Sequence, residues 1–335
     1  MICLERIIKW EVSRMKAYDK GAFFNEISRL IPMARIFRDQ PLAPYTSFEI
    51  GGPADCLIRV GNDTELSGIL QTCVAFQCPW MILGKGTNVL VADKGYRGLV
   101  IVLSGEFSTV QQEETTIIAG GGATLAHVAS VAAQAGLAGF EFAHGIPGTV
   151  GGAVMMNAGA YGGEIKDILK CVRGMDENGT ARWFDVTDLG LGYRSCDLQH
   201  SKMIIVKAIF SLLPGNLDQI RALTLDLQRR RWEKQPLDYP SAGSFFKRPP
   251  GHYAGSLIEQ AGLKGMSIGG AQVSLKHAGF IVNTGGATAA QVIDLMHHIQ
   301  VVVKERFDVD LVPEVKIIGE EGRNSRYVSH RPART

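Results

Sequence analysis

No C-x-x-C pair occurs among the six cysteines, Cys3, Cys56, Cys73, Cys78, Cys171 and Cys196. Their spacing fits neither a zinc site nor a compact disulfide framework, so they are expected as reduced thiols in a cytoplasmic protein. The eight histidines carry no metal signature. His297 and His298 are adjacent, so on a helix they point about 100° apart and form no i, i+4 ligand pair. No metal is expected. No segment approaches the roughly 20 apolar residues of a membrane span. The opening stretch MICLERIIKWEVSRMK breaks its short apolar runs with charge and lacks the apolar core of a signal peptide. An excess of charge of one sign is missing too: the formal net charge is +2. Nothing general draws such a chain to nucleic acid or to an anionic membrane. No internal repeat is visible.

What is present is apolar residue and clustered glycine. Hydrophobic residues make up 46% of the 335 and charged residues 20%, enough for sizeable cores in two or three domains. The 39 glycines fall in groups, which points to tight turns and to backbone lying close to a ligand.

Residues 1–40 read as a helical lead-in of mixed polarity. From Cys56 onward, short strands alternate with helices. Strands are expected at 56–60, 80–83, 99–103, 115–119, 170–175, 181–186, 203–213 and 314–318. Helices are expected at 64–77, at 125–135 between the cap Thr124 and the stop Gly136, at 217–234, and at 289–306 after Thr288. Pro214, Gly215 and Asn216 form a turn, and a domain boundary is placed near 214. The polar basic tail, 320–335, is expected to lack fixed structure.

Five segments carry chemistry. In LGKGTNVLV (83–91) a buried strand runs into Gly84, Lys85, Gly86, Thr87 and Asn88. Such a turn can expose successive backbone N–H groups as an anion nest, with no Cβ to hold a diphosphate away. It is neither a G-x-G-x-x-G fingerprint nor a Walker A loop, and alone it also reads as a simple glycine turn. HGIPGTVGGAVMMNAGAYGG (144–163) is long, glycine-rich and mildly apolar. A flexible linker would not carry Ile146, Val150, Val154, Met155 and Met156, so a ligand-lining loop is the better reading. Arg194 in G-Y-R, Ser244 in SAGSFFKRPPG and Glu314 in VPEVKII each have an ordinary reading when taken singly. These are a surface arginine, a turn serine and a solvated strand-end carboxylate. Ser244 lacks the G-x-S-x-G elbow of hydrolases.

Taken in order, the segments resemble the UDP-N-acetylenolpyruvoylglucosamine reductase family. The resemblance runs from about Ala43 to Gly319. It is carried by TSFEIGGPAD (46–55), LGKGTNVLV, GLVI (98–101), FEFAHGIPGTVGGAVMMNAGAYGGEI (140–165), LGYRSCDL (191–198), QPLDYPSAGSFFK (235–247), AGSLIEQAGLKGMSIGGAQVS (254–274), HAGFIVN (277–283) and PEVKIIGE (313–320). It implies an α+β protein: a PCMH-type FAD-binding unit of two α+β subdomains (about 41–102 and 103–214), then a smaller α+β substrate-binding domain (215–319). It implies FAD held by Gly84, Lys85, Gly86, Thr87, Asn88, Val89, Gly121, Gly145, Ile146, Pro147, Gly148, Thr149, Gly151, Gly152, Asn157, Gly159 and Ala160. NADPH is the implied reductant and UDP-N-acetylglucosamine enolpyruvate the implied substrate. Arg194, Ser244 and Glu314 fall on the family's three catalytic positions, and Tyr161, Lys247 and Arg248 are assigned to the substrate side. Two departures stand out. Arg248 occupies a position that is usually asparagine, and the short K-R-P-P-G-H-Y link replaces a long insertion found in one branch.

The implied reaction explains the residue types. An enol ether accepts hydride, here from flavin N5, only if the displaced electrons can move into the neighbouring carboxylate. Arg194 and a protonated Glu314 would stabilise that charge, and Ser244 would protonate the carbon bearing the ether oxygen. Two other readings remain open. One is another PCMH-type oxidase, which would tether FAD through a His or Cys that the first glycine loop lacks. The other is a flavin-binding module without catalysis.

Overall fold

The computed structural model of the protein describes residues 18–319. The expected lead-in at 1–17 and the tail at 320–335 lie outside the described residues. The chain forms three α+β lobes, each with its own apolar core.

The first lobe begins with α1 (Lys20–Leu30) and carries β1 (Ile36–Pro41), β2 (Pro53–Val60), α2 (Asp63–Ala75), β3 (Trp80–Ile82), β4 (Val89–Val91) and β5 (Tyr96–Leu103). Four of these strands make a sheet in the order β1-β2-β5-β3, with β2 parallel to β5 and β5 parallel to β3. Parallel neighbours need a crossover, and α2 supplies it. Asn62 caps α2 by accepting from the Glu65 N–H at 3.0 Å. Phe23 and Ile27 of α1 pack with Leu66, Ile69 and Cys73 of α2 over Leu99 and Ile101. The described part of 1–40 is therefore not a lead-in. It holds a core helix and most of an edge strand, so no boundary falls at 40.

The second lobe adds β6 (Val110–Glu113), β7 (Thr116–Gly120), α3 (Leu125–Gln134) and α4 (Val150–Met155), then strands Leu169–Met175, Ala181–Asp185 and Ile204–Ser211. All neighbours in this five-stranded sheet are antiparallel. Helix α5 (Leu217–Lys234) starts at the cap Asn216, whose side chain accepts from the N–H groups of Asp218 and Gln219. It packs against α3 and the turn at Glu141–Ala143, so it belongs to this lobe. The boundary expected near 214 therefore lies after α5, because the helix finds its contacts behind it in the chain.

The third lobe is a small antiparallel sheet of Ser241–Ser244, Phe280–Asn283, Ala271–Val273 and Ser267–Ile268. It packs with α6 (Ala254–Gln260) and α7 (Ala289–Phe307). Phe48, Ile50 and Leu90 of the first lobe enter the same core. Two ties lock these lobes. Strand Lys316–Ile318 pairs in parallel with β4, and the Asp93 carboxylate accepts from the Ala289 and Ala290 N–H groups at the start of α7, at 2.7 and 3.0 Å. A carboxylate is well placed there, because the first turn of a helix leaves its amides unpaired. Among the described residues no helix is long and apolar enough to cross a membrane.

Candidate active site

The two glycine segments face each other. The hydroxyl of Thr87 donates to the Pro147 carbonyl at 3.0 Å, and a Cβ on Gly84 would stand 2.6 Å from Thr149 Oγ1. Gly86 has φ +62, and a Cβ there would meet the Tyr45 carbonyl at 2.2 Å, so only glycine makes this turn. Among the described residues, none of the five amide N–H groups of 84–88 finds an acceptor in the chain. Unpaired successive amides are what an anion nest requires. Val89, next in sequence, is committed to its pairing with Lys316.

The second segment is not a loop throughout. Residues 150–155 form α4, capped by Thr149, whose side chain accepts from the Gly152 N–H at 3.5 Å. Ile146 is half-buried against the second core, and Gly148 lies beside Thr87. Gly145 lies under the side chain of Arg231. Gly159 and Ala160 pair with Glu164 and Gly163 in a short hairpin. Tyr161, at φ +54, sits exposed at its tip.

Two residues expected to line the cofactor are bonded into the loops themselves. The amide of Gly121 is used by Val206, its carbonyl accepts from Gly151, and a Cβ would collide with the Ile205 carbonyl at 1.9 Å. Asn157 is fully buried. Its amide nitrogen donates to Glu164 Oε2 at 2.9 Å and to the Gly192 carbonyl at 3.0 Å, and its oxygen accepts from the Lys166 N–H at 2.9 Å. Asn157 fixes the turn from which Arg194 projects.

Arg194 itself has φ +53, a conformation uncommon outside glycine. Its Nε donates to Glu314 Oε1 at 2.8 Å and its Nη2 donates to the Gly159 carbonyl at 3.3 Å. Gln199 donates to the Arg194 carbonyl at 3.3 Å. Burial pushes the Glu314 carboxyl above the ordinary carboxylate range. The charges of Arg194, Lys247 and Lys316 pull the other way without reversing it. Lys316 is pushed down, first by burial and then by Lys247. The backbone of Glu314 is tied on both sides: its N–H donates to the Phe245 carbonyl at 2.8 Å, and its carbonyl accepts from Asn88 Nδ2 at 3.2 Å. Asn88 thus joins the first glycine turn to the carboxylate strand.

Ser244 arrives on the neighbouring strand. It is exposed, it follows Gly243 at φ +80, and the next residue is the Phe245 that holds Glu314. Phe246 bridges Pro313, and the Lys247 N–H donates to Val312 at 2.8 Å. The Arg248 N–H donates to the hydroxyl of Tyr193, the residue before Arg194, at 3.2 Å. Arg248 also stacks its guanidinium over the Tyr253 ring at 4.0 Å. The expected catalytic segments therefore converge at one place: Arg194 and Glu314 by direct contact, Ser244 through the strand beside Glu314. Tyr193, Gln199 and Lys316 were not singled out from sequence. Lys316 carried a usable signal, since it stands only two residues beyond Glu314.

The comparisons with known proteins decide the family. A reductase from Caldanaerobacter subterraneus, UDP-N-acetylenolpyruvoylglucosamine reductase, is 50% identical over 297 residues, which cover 89% of this chain and 98% of the relative. The chain belongs to the UDP-N-acetylenolpyruvoylglucosamine reductase family. A second member, from Alkaliphilus oremlandii, is 45% identical over 303 residues, 90% of this chain and 100% of its own length. The family's C-terminal domain model matches 235–318, beginning where α5 ends, and an FAD binding domain model matches 54–185. The solved reductase of this family from Thermus caldophilus superposes with a TM-score of 0.74 at 36% identity, covering 85% of this chain and 99% of that one. The α+β architecture of an FAD-binding unit followed by a substrate-binding domain is the family's. FAD is its cofactor, and the turn at 84–88 fits that group. Its unpaired amides suit a diphosphate, and its glycines leave no side chain in the way.

Proposed function

We propose that this chain reduces UDP-N-acetylglucosamine enolpyruvate to UDP-N-acetylmuramate with FAD and NADPH, a step in peptidoglycan precursor synthesis. The observation that carries the reading is the Arg194–Glu314 contact, joined through Asn88 to the turn whose amides are free for a diphosphate.

FAD, when bound, would supply the reducing equivalents taken from NADPH. Residues 84–88 would hold it by their unpaired backbone amides, with the segment 145–149 facing them across the Thr87–Pro147 bond. An enol ether is not electrophilic, so charge must move into the substrate carboxylate as the terminal carbon is reduced. Arg194 can meet that carboxylate with its planar fork. Glu314 is held above the ordinary carboxylate range by burial, so it can carry a proton and donate a hydrogen bond to the same group. Each such preorganised donor is worth roughly 3–4 kcal/mol. The carbon bearing the ether oxygen then needs a proton. Ser244 is the donor in this reading, and its exposure lets the hydroxyl regain a proton from water. Tyr161, Lys247 and Arg248 stand on the substrate side, where Lys247 adds positive charge near Glu314.

A steady-state NADPH oxidation assay with and without the enolpyruvyl sugar tests the reading. Turnover should require the sugar, and acid precipitation should release the flavin. Sugar-independent oxidation, or flavin retained in the pellet, would favour an oxidase instead.

A further inference from the structure

Helix α2 ends in a closed turn that sets two cysteines against each other. The Gln77 N–H donates to the Val74 carbonyl at 3.1 Å, and the Cys78 N–H donates to the Cys73 carbonyl at 2.9 Å. Gln77, between them, has φ +53. Two such bonds around a left-handed residue make a Schellman ending, in which the side chains of the outer two residues meet. Here those residues are Cys73 and Cys78, and both belong to the first core. The backbone bond also caps their separation. With standard bond lengths it holds the two Cα atoms within about 6.8 Å, inside the span that a disulfide bridges. A third thiol of the same core, Cys56, directs its Sγ to the Leu57 carbonyl of its own strand at 3.8 Å. The reaction proposed above uses none of them.

The two thiols are not equivalent. The Cys73 thiol and the Tyr18 hydroxyl hydrogen-bond the Cys78 sulfur, and the bond to Cys73 is the main cause that draws the Cys78 thiol below its ordinary value. The same bond pushes Cys73 up. A thiolate is the nucleophile in thiol oxidation, so Cys78 attacks and Cys73 resolves. Access selects the oxidant. Cys73 is 1% exposed and Cys78 4%, which shuts out a bulky reagent. Yet Val74, Ala75 and Gln77 around them are exposed, so the pair lies just beneath the surface at a helix end, where local opening is least costly. A hydroperoxide is small enough to enter, and reduced flavin meeting oxygen is one source of it.

We propose that Cys73 and Cys78 form a two-electron redox pair that closes to a disulfide across the end of α2 on meeting hydrogen peroxide. The Cys78 thiolate attacks one peroxide oxygen and the O–O bond breaks. The hydroxide released takes up the proton that Cys78 gave away, and Cys78 is left as a sulfenic acid. The Cys73 sulfur then attacks the Cys78 sulfur. The S–O bond breaks, and hydroxide leaves with the Cys73 proton as water. Two thiols are oxidised by two electrons, and one peroxide is reduced to two waters. The disulfide would tie α2 to the root of β3, the strand that leads into the glycine turn at 84–88.

Peptide mapping tests this on full-length, flavin-loaded protein. Trypsin leaves 60–85 as one peptide holding both cysteines and no internal lysine or arginine, whereas Cys56 falls in 39–59. The reduced protein is exposed to hydrogen peroxide, quenched with catalase, alkylated with iodoacetamide in denaturant and digested. Without peroxide, 60–85 should carry two alkyl groups. After peroxide most copies should carry none and weigh about 2 Da less than the unalkylated dithiol, and dithiothreitol should restore both alkylations. Cys73→Ala should leave Cys78 without its resolving partner, so that its sulfur gains oxygen instead of a crosslink. Native protein that keeps both alkyl groups, while urea-unfolded protein loses them, overturns the proposal. So does a crosslink from Cys78 to Cys56, or sulfurs that gain oxygen in wild type without joining. The wild-type map decides the matter even if the variant fails to fold.

Discussion

Arg194 and Glu314 lie 120 residues apart in the chain and meet through Nε and Oε1 at 2.8 Å. The contact makes a cation and a carboxyl neighbours in a place where burial favours the neutral form of the acid. Arg194→Ala should lower kcat by about 10²–10³ while leaving bound flavin and its reduction by NADPH intact. Arg194→Lys should recover little, because an ammonium cannot reproduce the fork that reaches Glu314 and the Gly159 carbonyl at once. Pre-steady-state kinetics that separate flavin reduction from flavin reoxidation check this. Lysine at wild-type speed would refute it.

Ser244→Ala should behave as a half-enzyme. NADPH should still bleach the flavin, and product formation should fall by about 10²–10⁴. Normal turnover in the alanine variant would remove the hydroxyl from the mechanism.

Glu314 has a pH signature. Its folded-state pKa is raised, chiefly by burial, so the folded state binds the proton more tightly than the unfolded state. Its contribution is therefore stabilising below the ordinary carboxylate value and is lost as pH rises through the folded value. Glu314→Gln stays neutral throughout. Its melting temperature relative to wild type should rise as pH climbs from the ordinary carboxylate range through the raised folded value, even as turnover falls. A glutamine variant that grows less stable than wild type towards high pH would mean that the Arg194 charge outweighs burial.

Glu65 has the opposite sign. Arg35 grips both its oxygens at 2.9 and 2.6 Å, and the Gly61 N–H adds a third bond at 2.7 Å. These hold the carboxyl below its ordinary range, hydrogen bonding to Arg35 first. The stability it brings is present at neutral pH and is lost as pH falls through the lowered value. Glu65→Gln should cost about 1–3 kcal/mol near neutral pH and should flatten the acid limb of a stability profile measured by urea unfolding.

Gly84→Ala should weaken FAD binding, since the new Cβ would strike Thr149 Oγ1. Adding Thr149→Ala removes the struck atom, so the double variant should lose less affinity than the two single losses summed. Strict additivity in flavin titrations would show that the two segments do not press on each other.

Elements defined by local chemistry were legible from residues alone. The helix at 289–306 was read from its apolar face and its Thr288 cap, and the structure gives Ala289–Phe307 with that cap. The start of α5 at Asn216 and of α3 at Thr124 follow from the same local logic. What could not be read depends on distant partners. Strand β4 is three residues long and exists through Lys316–Ile318. Strand β1 sits in a stretch read as helical because its partner Pro53–Val60 lies beyond an intervening turn. The lone reading of Glu314 as a solvated strand-end acid failed for the same reason: nothing within a few residues reveals Arg194. The glycine-rich string around Asn157 gives no sign that its side chain bonds to Glu164, Lys166 and Gly192.

The docking of Lys316–Ile318 on β4 bears on how the protein is made. The ribosome releases the first lobe long before the strand that β4 must receive. Until then β4 has an open edge and the Asn88 side chain lacks its Glu314 carbonyl. Nascent chains that stop short of residue 314 therefore lack the carboxyl that faces Arg194.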